Sequence, residues 1–349
     1  REERVEQILW MKQGVESRFG VEASGLWLTE RVWEPDLVVD LVEAGIRYAF
    51  VDDRHFLVAG PEPHTLHRPH ETESGGRKMT LLPIDERLRY LVPFRPASEL
   101  EGYLRGLRAE DHPLAILADD GEKFGGWPGT AEWVWRSGWL EDFVRTVRGL
   151  VDEGVVELLR AADAVERIPP AGPSYLPSAS YREMEGWALP AASAVALEAV
   201  EEALGREGAA HAASRFVRGG HWRNFMAIYP ESGRMHMKAA ELADLCRERG
   251  AGQDARRAVG RARCNDAYWH GVFGGLYLRH LREALWANLA EAEGILRAGE
   301  ALSWEVVEHR GDGPRELRVH SRSFAASLSL DRGGALTELV DFDARRNLA

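Results

Sequence analysis

GLWLTERVWEP, residues 25–35, opens as an apolar strand and closes as a helix start, with Pro35 where a helix needs no amide donor. Its apolar run stops at Glu30, which stands beside Arg31 and between Trp27 and Trp33. The next segment, DLVVDLVEAG, has helical spacing with Gly45 as its stop, and YAFVDD (48–53) is again strand-like. Strand, helix and strand in succession are the repeating unit of a parallel α/β fold.

The alternation extends in both directions. Residues 1–19 carry Val5, Ile8, Leu9, Val15 and Phe19 at helical spacing, with Gly20 as the stop. After a Pro-, His- and Gly-rich loop (60–78) come the apolar runs MTLLPI (79–84) and YLVPF (90–94). A helix over 98–109 opened by Ser98, a buried strand LAILADD (114–120) and a helix over 138–154 follow. Three of the strands end in acid, at Glu30, Asp52–Asp53 and Asp119–Asp120. In barrels of parallel strands the C-terminal strand ends face one mouth, where the chemistry is done. Carboxylates gathered there repel one another unless they bind something.

Composition narrows the function. The net charge of −12 argues against nucleic acid or an anionic membrane as partner. Two cysteines, Cys246 and Cys264, give no disulfide framework and no metal spacing, and a reducing cytoplasm is the expected setting. No apolar run approaches the ~18 residues of a membrane span. Twelve tryptophans supply flat apolar surface. Beyond residue 168 the pattern changes: 168–190 is a Pro- and aromatic-rich connector, 191–217, 235–255 and 265–299 read as helices, and strands separated by GDG and RGG turns begin near 302.

Three clusters could carry chemistry. Glu30 with Arg31 suits an ionised nucleophile beside a cation, and equally a surface salt bridge. LADDGEKFGGWPGT (117–130) offers Asp119 and Asp120, of which strand geometry points at most one at a ligand, followed by Trp127. Two carboxylates with divided roles suit glycoside chemistry, one attacking the anomeric carbon and one protonating the leaving oxygen; in retaining enzymes they stand ~5–5.5 Å apart. CNDAYWHGVFGGLYLRHLR (264–282) packs Asn265, Asp266, Tyr268, Trp269 and His270 at a helix start, with Asp266 as cap, and GGHWRNFMAIYP (219–230) adds Trp222. Polar groups beside flat rings are what a sugar needs. His64, His67 and His70 read as solvated loop histidines rather than metal ligands, and Tyr175, Tyr181 and Trp187 as packing residues of the connector.

Taken together, WLTERVWEP (27–35), VDDRHF (51–56), IDERLRYLVPFRP (84–96), DDGEKFGGWPGT (119–130), YLPSASYREMEGWALP (175–190), GGHWRNF (219–225) and CNDAYWHGVFGGLYL (264–278) resemble glycoside hydrolase family 57, in its 4-α-glucanotransferase and α-amylase branch. The resemblance implies an α/β fold: a partial distorted (β/α)7 barrel over 1–168, a helical domain completing the active site over 169–300, and the start of a β-sandwich over 301–349. It implies Glu30 as nucleophile and Asp120 as general acid/base, with Trp27, Trp33, Asp53, His55, Trp127, Asn265, Asp266, Trp269 and His270 around the substrate. Trp222 is added from the residues themselves. No metal or cofactor is implied. The expected partners are an α-glucan and an acceptor sugar, with no nucleic acid or membrane, and a homodimer is compatible with the resemblance.

The family's His-Gln-Pro strand is absent from this sequence. The chain is therefore expected to lack the first barrel strands, to stop just after the sandwich begins, and to fold poorly alone, since an open barrel leaves strand edges unpaired. The expected activity is retaining transfer of α-1,4-glucan chains. An α-amylase with the same carboxylates, or a non-catalytic glucan-binding fragment, is the alternative; a carbohydrate deacetylase would need a His/His/Asp metal triad that these motifs do not assemble.

Overall fold

Four strands of the first half pair in the order β1-β2-β4-β3: β1 (Gly25–Trp27), β2 (Tyr48–Asp52), β3 (His70–Ser74) and β4 (Arg77–Ile84). β1, β2 and β4 run parallel, with Gly25 opposite Tyr48 and Tyr48 opposite Thr80, and β3 returns antiparallel on β4. The computed structural model describes residues 1–206, 215–308 and 315–349, which fall into two compact units, Arg1–His221 and Trp222–Ala349. No helix among the described residues is long and apolar enough to cross a membrane.

In the first unit most of β2 and the second half of β4 are apolar, the pattern of strands covered on both faces. Ala49, Val51, Leu81, Leu82 and Ile84 are all fully buried. Val38 and Leu41 of the helix Leu37–Glu43, together with Phe56 and Leu176, complete that core. The N-terminal helix, Glu2–Phe19, stops at Gly20, whose φ of 66° is the left-handed turn that glycine tolerates. A second core of Leu88, Leu91, Leu100, Val134 and Trp139 joins the helices Glu86–Leu91, Ala97–Ala109 and Trp139–Asp152.

Several expectations are corrected. β1 is three residues long, not six, because the chain leaves the sheet at Thr29 and turns through a short 3-10 segment, Thr29–Arg31. The run 90–94 is the end of the helix Glu86–Leu91 and the turn after it. The helix over 97–109 has Pro96 before it, and no side chain caps it. LAILADD is not a sheet strand: β3 occupies the flank of β4 from Arg77 to Leu81, and Ile116 O accepts the amide of Asp85, the residue after β4, at 3.0 Å.

The second unit packs the helices Asn224–Ile228, Pro230–Glu248, Gln253–Arg261 and Arg279–Leu296 around Met235, Leu242, Val259, Leu285, Trp286 and Leu289. Its sheet is antiparallel and in chain order: β5 (Ser303–Glu308), β6 (Arg315–His320), β7 (Phe324–Ser329), β8 (Ala335–Asp341) and β9 (Arg346–Asn347). Residues 265–278, expected as helix, form two single 3-10 turns instead, Asn265–Ala267 and Gly275–Tyr277. The break lies at Gly275, with φ of 53°, where a Cβ would stand 2.2 Å from Trp269 O. Asp266 is accordingly inside a turn and not a helix cap. The expected helix over 191–217 is described as Ala191–Arg206; residues 207–214 lie outside the described residues.

Candidate active site

At the end of β1 both Glu30 (φ 52°) and Arg31 (φ 48°) adopt the left-handed conformation. Such backbone costs on the order of 1–3 kcal/mol per residue and persists only where the surroundings hold it. The holders are visible. Ser180 Oγ donates to Glu30 O at 2.7 Å, and Tyr181 Oη donates to Glu30 Oε2 at 2.9 Å. The Arg31 guanidinium lies 4.1 Å above the Tyr181 ring and 5.9 Å from that of Trp27. Burial, and then the Glu30 charge, push the Tyr181 hydroxyl well above its ordinary pKa, so it stays a proton donor to the carboxylate. Tyr181, expected as a packing residue, is thus a direct partner of Glu30.

His55 is fully buried, with Nε2 at 2.8 Å from Arg31 O and 3.2 Å from Ala179 O, and Nδ1 at 3.1 Å from Asp52 O. Burial lowers its pKa, and both ring nitrogens face backbone carbonyls, so neither is turned toward a ligand. Trp33 is corrected in the same sense. It is 1% exposed, its backbone pairs with Ala179, and its indole N–H donates to Leu176 O at 3.3 Å, so it is a core residue and not a sugar-facing wall. Trp27 is half-buried.

Asp53 follows β2 and is 9% exposed. Its Oδ2 accepts the Glu86 amide at 3.2 Å, while Oδ1 is buried with no hydrogen-bond partner. Burial first, then the charges of Asp52 and Glu86, raise its pKa well above the usual carboxylate range.

Asp120 is half-buried and opens the 3-10 turn Gly121–Phe124. Its amide donates to Asp119 Oδ1 at 2.9 Å. Asp119 is also bound by Lys123 and, at 3.3 Å, by Arg89. Burial pulls the Lys123 ammonium below its ordinary pKa, with Asp119 opposing. Arg89 reaches Asp52 at 3.3 Å, and Asp52 reaches Arg31 at 3.6 Å. A continuous line of buried charge therefore runs from the Glu30 loop to the Asp120 loop. Beside it Trp127 stacks on Phe94, ring centres 5.8 Å apart, and the two line a shallow pocket with Pro128, Gly129, Thr130 and Trp133.

A family model described as glycosyl hydrolase family 57 matches residues 1–177, more than half of the chain. The chain belongs to glycosyl hydrolase family 57. A second model, the middle domain of α-amylase/4-α-glucanotransferase, matches residues 220–296. An α-amylase of Pyrococcus abyssi is 44% identical over 97% of this chain and 50% of its own length. A 4-α-glucanotransferase of Thermococcus litoralis is 42% identical over 97% of this chain and 50% of its own. The crystal structure of the Thermococcus litoralis 4-α-glucanotransferase superposes with a TM-score of 0.90 at 41% identity, covering 98% of this chain and 52% of that one. The chain thus spans about half the length of the curated relatives it matches.

The family 57 residues of the second unit are described within that unit. Asn265 carries a buried Nδ2 with no hydrogen-bond partner, and Asp266 is exposed. Trp269 is half-buried, with its carbonyl accepting the Leu276 amide at 2.8 Å. The His270 ring sits 5.1 Å from that of Phe225, 5.7 Å from Tyr229 and 5.2 Å from Tyr277, and burial lowers its pKa. Trp222 packs its partly buried ring on the helical core. Two of the loop histidines are corrected: His70 is buried between Ser174 Oγ (2.8 Å) and Thr65 O (3.0 Å), and the His67 ring lies 4.3 Å from that of His112, tilted by 45°.

Proposed function

We propose that the protein is a retaining 4-α-glucanotransferase acting on α-1,4-glucans. Glu30 attacks the anomeric carbon as the bond from that carbon to the leaving O4 breaks, and Asp120 gives the leaving oxygen its proton. The product of this half-reaction is a glycosyl ester on Glu30 and a released glucan. The 4-hydroxyl of an acceptor sugar then attacks the same carbon, its proton passing to Asp120, and the ester bond to Glu30 breaks. Both residues end as they began. Within the first unit Trp27 and Trp127 offer ring faces for sugars and Asp53 a polar edge; within the second unit Trp222 and Trp269 offer faces and Asn265, Asp266 and His270 edges.

The observation that carries this reading is the strained, side-chain-braced turn that carries Glu30, joined through buried charge to the loop of Asp120. We keep the three-part organisation (1–168, 169–300, 301–349) within this proposal. A cytoplasmic setting fits two cysteines that are both free thiols.

Relatives of nearly equal identity bear the names α-amylase and 4-α-glucanotransferase, so hydrolysis is the second reading. Incubation of the full-length protein with maltotriose separates them. A ladder of longer and shorter maltooligosaccharides is the expected result, and glucose and maltose alone would make the protein an amylase. Glu30→Gln is expected to lower turnover by about 10⁴-fold or more. Undiminished turnover in that variant would remove Glu30 from the mechanism, and glucan binding without turnover in both forms would make the protein a binding module.

A further inference from the structure

We propose that Arg89 is a positioning residue that ties the proton donor to the nucleophile: its guanidinium spans Asp52, which holds Arg31 beside Glu30, and Asp119, which holds the backbone of Asp120. The proposal rests on the reading of Glu30 and Asp120 as the catalytic pair. Arg89 Nη1 lies 3.3 Å from Asp52 Oδ2, and Nη2 lies 3.3 Å from Asp119 Oδ1. That same Asp119 oxygen accepts the Asp120 amide at 2.9 Å, and Asp52 Oδ2 also faces Arg31 Nε at 3.6 Å. Each end of the guanidinium therefore meets a carboxylate one link away from a reacting residue.

Three features separate this from an ordinary ion pair. The side chains of Arg89, Asp52 and Asp119 are 12%, 4% and 5% exposed, so the pairs are little screened by water. Arg89 Nε is buried and has no hydrogen-bond partner among the described residues, so the side chain is held by the two carboxylates at its fork. The two carboxylates belong to different elements, the end of β2 and the loop before Gly121–Phe124, and a planar fork with fixed nitrogens can span them where a lysine, a single point charge, cannot. Lys123 adds a second hold on Asp119 from within the Asp120 loop, which leaves Arg89 as the link between the two elements.

The test uses two donors on the full-length protein. Maltotriose has a sugar oxygen as leaving group and needs a proton from Asp120. α-Maltosyl fluoride does not: the carbon–fluorine bond breaks as the bond to Glu30 forms, and fluoride leaves as the anion. First-turnover release reads the glycosylation step alone. In Arg89→Met the rate with maltotriose is expected to fall by about 10²-fold, the scale of a misplaced general acid, and the rate with the fluoride by less than about threefold. Arg89→Lys is expected to recover part of the maltotriose rate, with KM little changed. Equal losses on both donors together with a lowered melting temperature would make Arg89 a structural brace, and no loss on either donor would also overturn the proposal. Asp120→Asn is the control: absence of the donor split there would sink the catalytic reading itself, whereas a split in Asp120→Asn that Arg89→Met lacks would sink only the relay.

Discussion

Lys238 in the second unit lies 2.6 Å from both Glu293 and Glu338, and Arg297 Nε reaches Glu293 at 2.8 Å. Around Asp52 in the first unit the ion-pair distances are longer, 3.3 Å to Arg89 and 3.6 Å to Arg31. Both clusters are buried, and both owe the desolvation cost of charge taken from water. They answer it differently. The first-unit cluster is spread over the end of β2, the helix Glu86–Leu91 and the loop of Asp119, and sits against backbone in the left-handed region. The second-unit cluster is tight and joins the helices Pro230–Glu248 and Arg279–Leu296 to β8. Burial opposes the Lys238 charge, but the two carboxylates outweigh it and hold its pKa above normal; Glu293 is held below normal against its own burial by Lys238 and Arg297. The carboxyl groups record the difference: Asp53 is held above the ordinary range by burial and its acidic neighbours, and Glu293 below it by Lys238 and Arg297.

Breaking the tight cluster should cost the most stability. Lys238→Met takes the cation from buried Glu338 and one of its two cations from buried Glu293, and a loss of about 3–5 kcal/mol in urea unfolding is expected. A loss under about 1 kcal/mol would mean that the cluster is dispensable and the contrast false. In the loose cluster the effect should move from stability to turnover. Tyr181→Phe removes one hydrogen bond to the Glu30 carboxylate, a bond to a charged group worth roughly 1.5–3 kcal/mol, so kcat/KM should drop by about 10- to 100-fold. The melting temperature should change little, because the ring and its contact with Arg31 remain. A stability loss with intact kcat/KM would reduce Tyr181 to a packing residue.

The parallel β/α frame was legible in the sequence because each strand is a short apolar run ended by acid and each early helix stops at a glycine. The antiparallel strands after 302 were legible from alternation and turns. Partners distant in sequence were not. Tyr181 lies 151 residues from Glu30, and nothing local in YREMEGW distinguishes a hydroxyl aimed at a carboxylate from a packed ring. Trp33 and His55 were read as ligand-facing from their motif, yet both back onto Ala179 of the connector, which only tertiary pairing reveals. Helical periodicity was over-read across 265–278, where the close approach of Gly275 to Trp269 O breaks it. The apolar run 114–120 looked like a sheet strand because periodicity cannot tell that β3 has already taken most of the flank it would need.

The finest test of the contrast is Asp53, whose raised pKa marks the first cluster. Its pKa is raised by burial, by Asp52 and by Glu86, so the native state binds that proton more tightly than the unfolded chain does. The stability this proton contributes is complete below the ordinary carboxylate range and is lost as pH rises through the native pKa. Asp53→Asn cannot titrate, yet its carbonyl can still accept the Glu86 amide. The variant and the parent should therefore be nearly equal in melting temperature at acid pH, and the variant should gain on the parent as pH rises. The gain should be modest, since Asp52 and Glu86 keep their own charges. A difference in melting temperature that stays constant with pH would mean that Asp53 binds its proton no more tightly in the native state than in the unfolded chain. In that case the contrast between the two clusters would rest on their ion-pair distances alone.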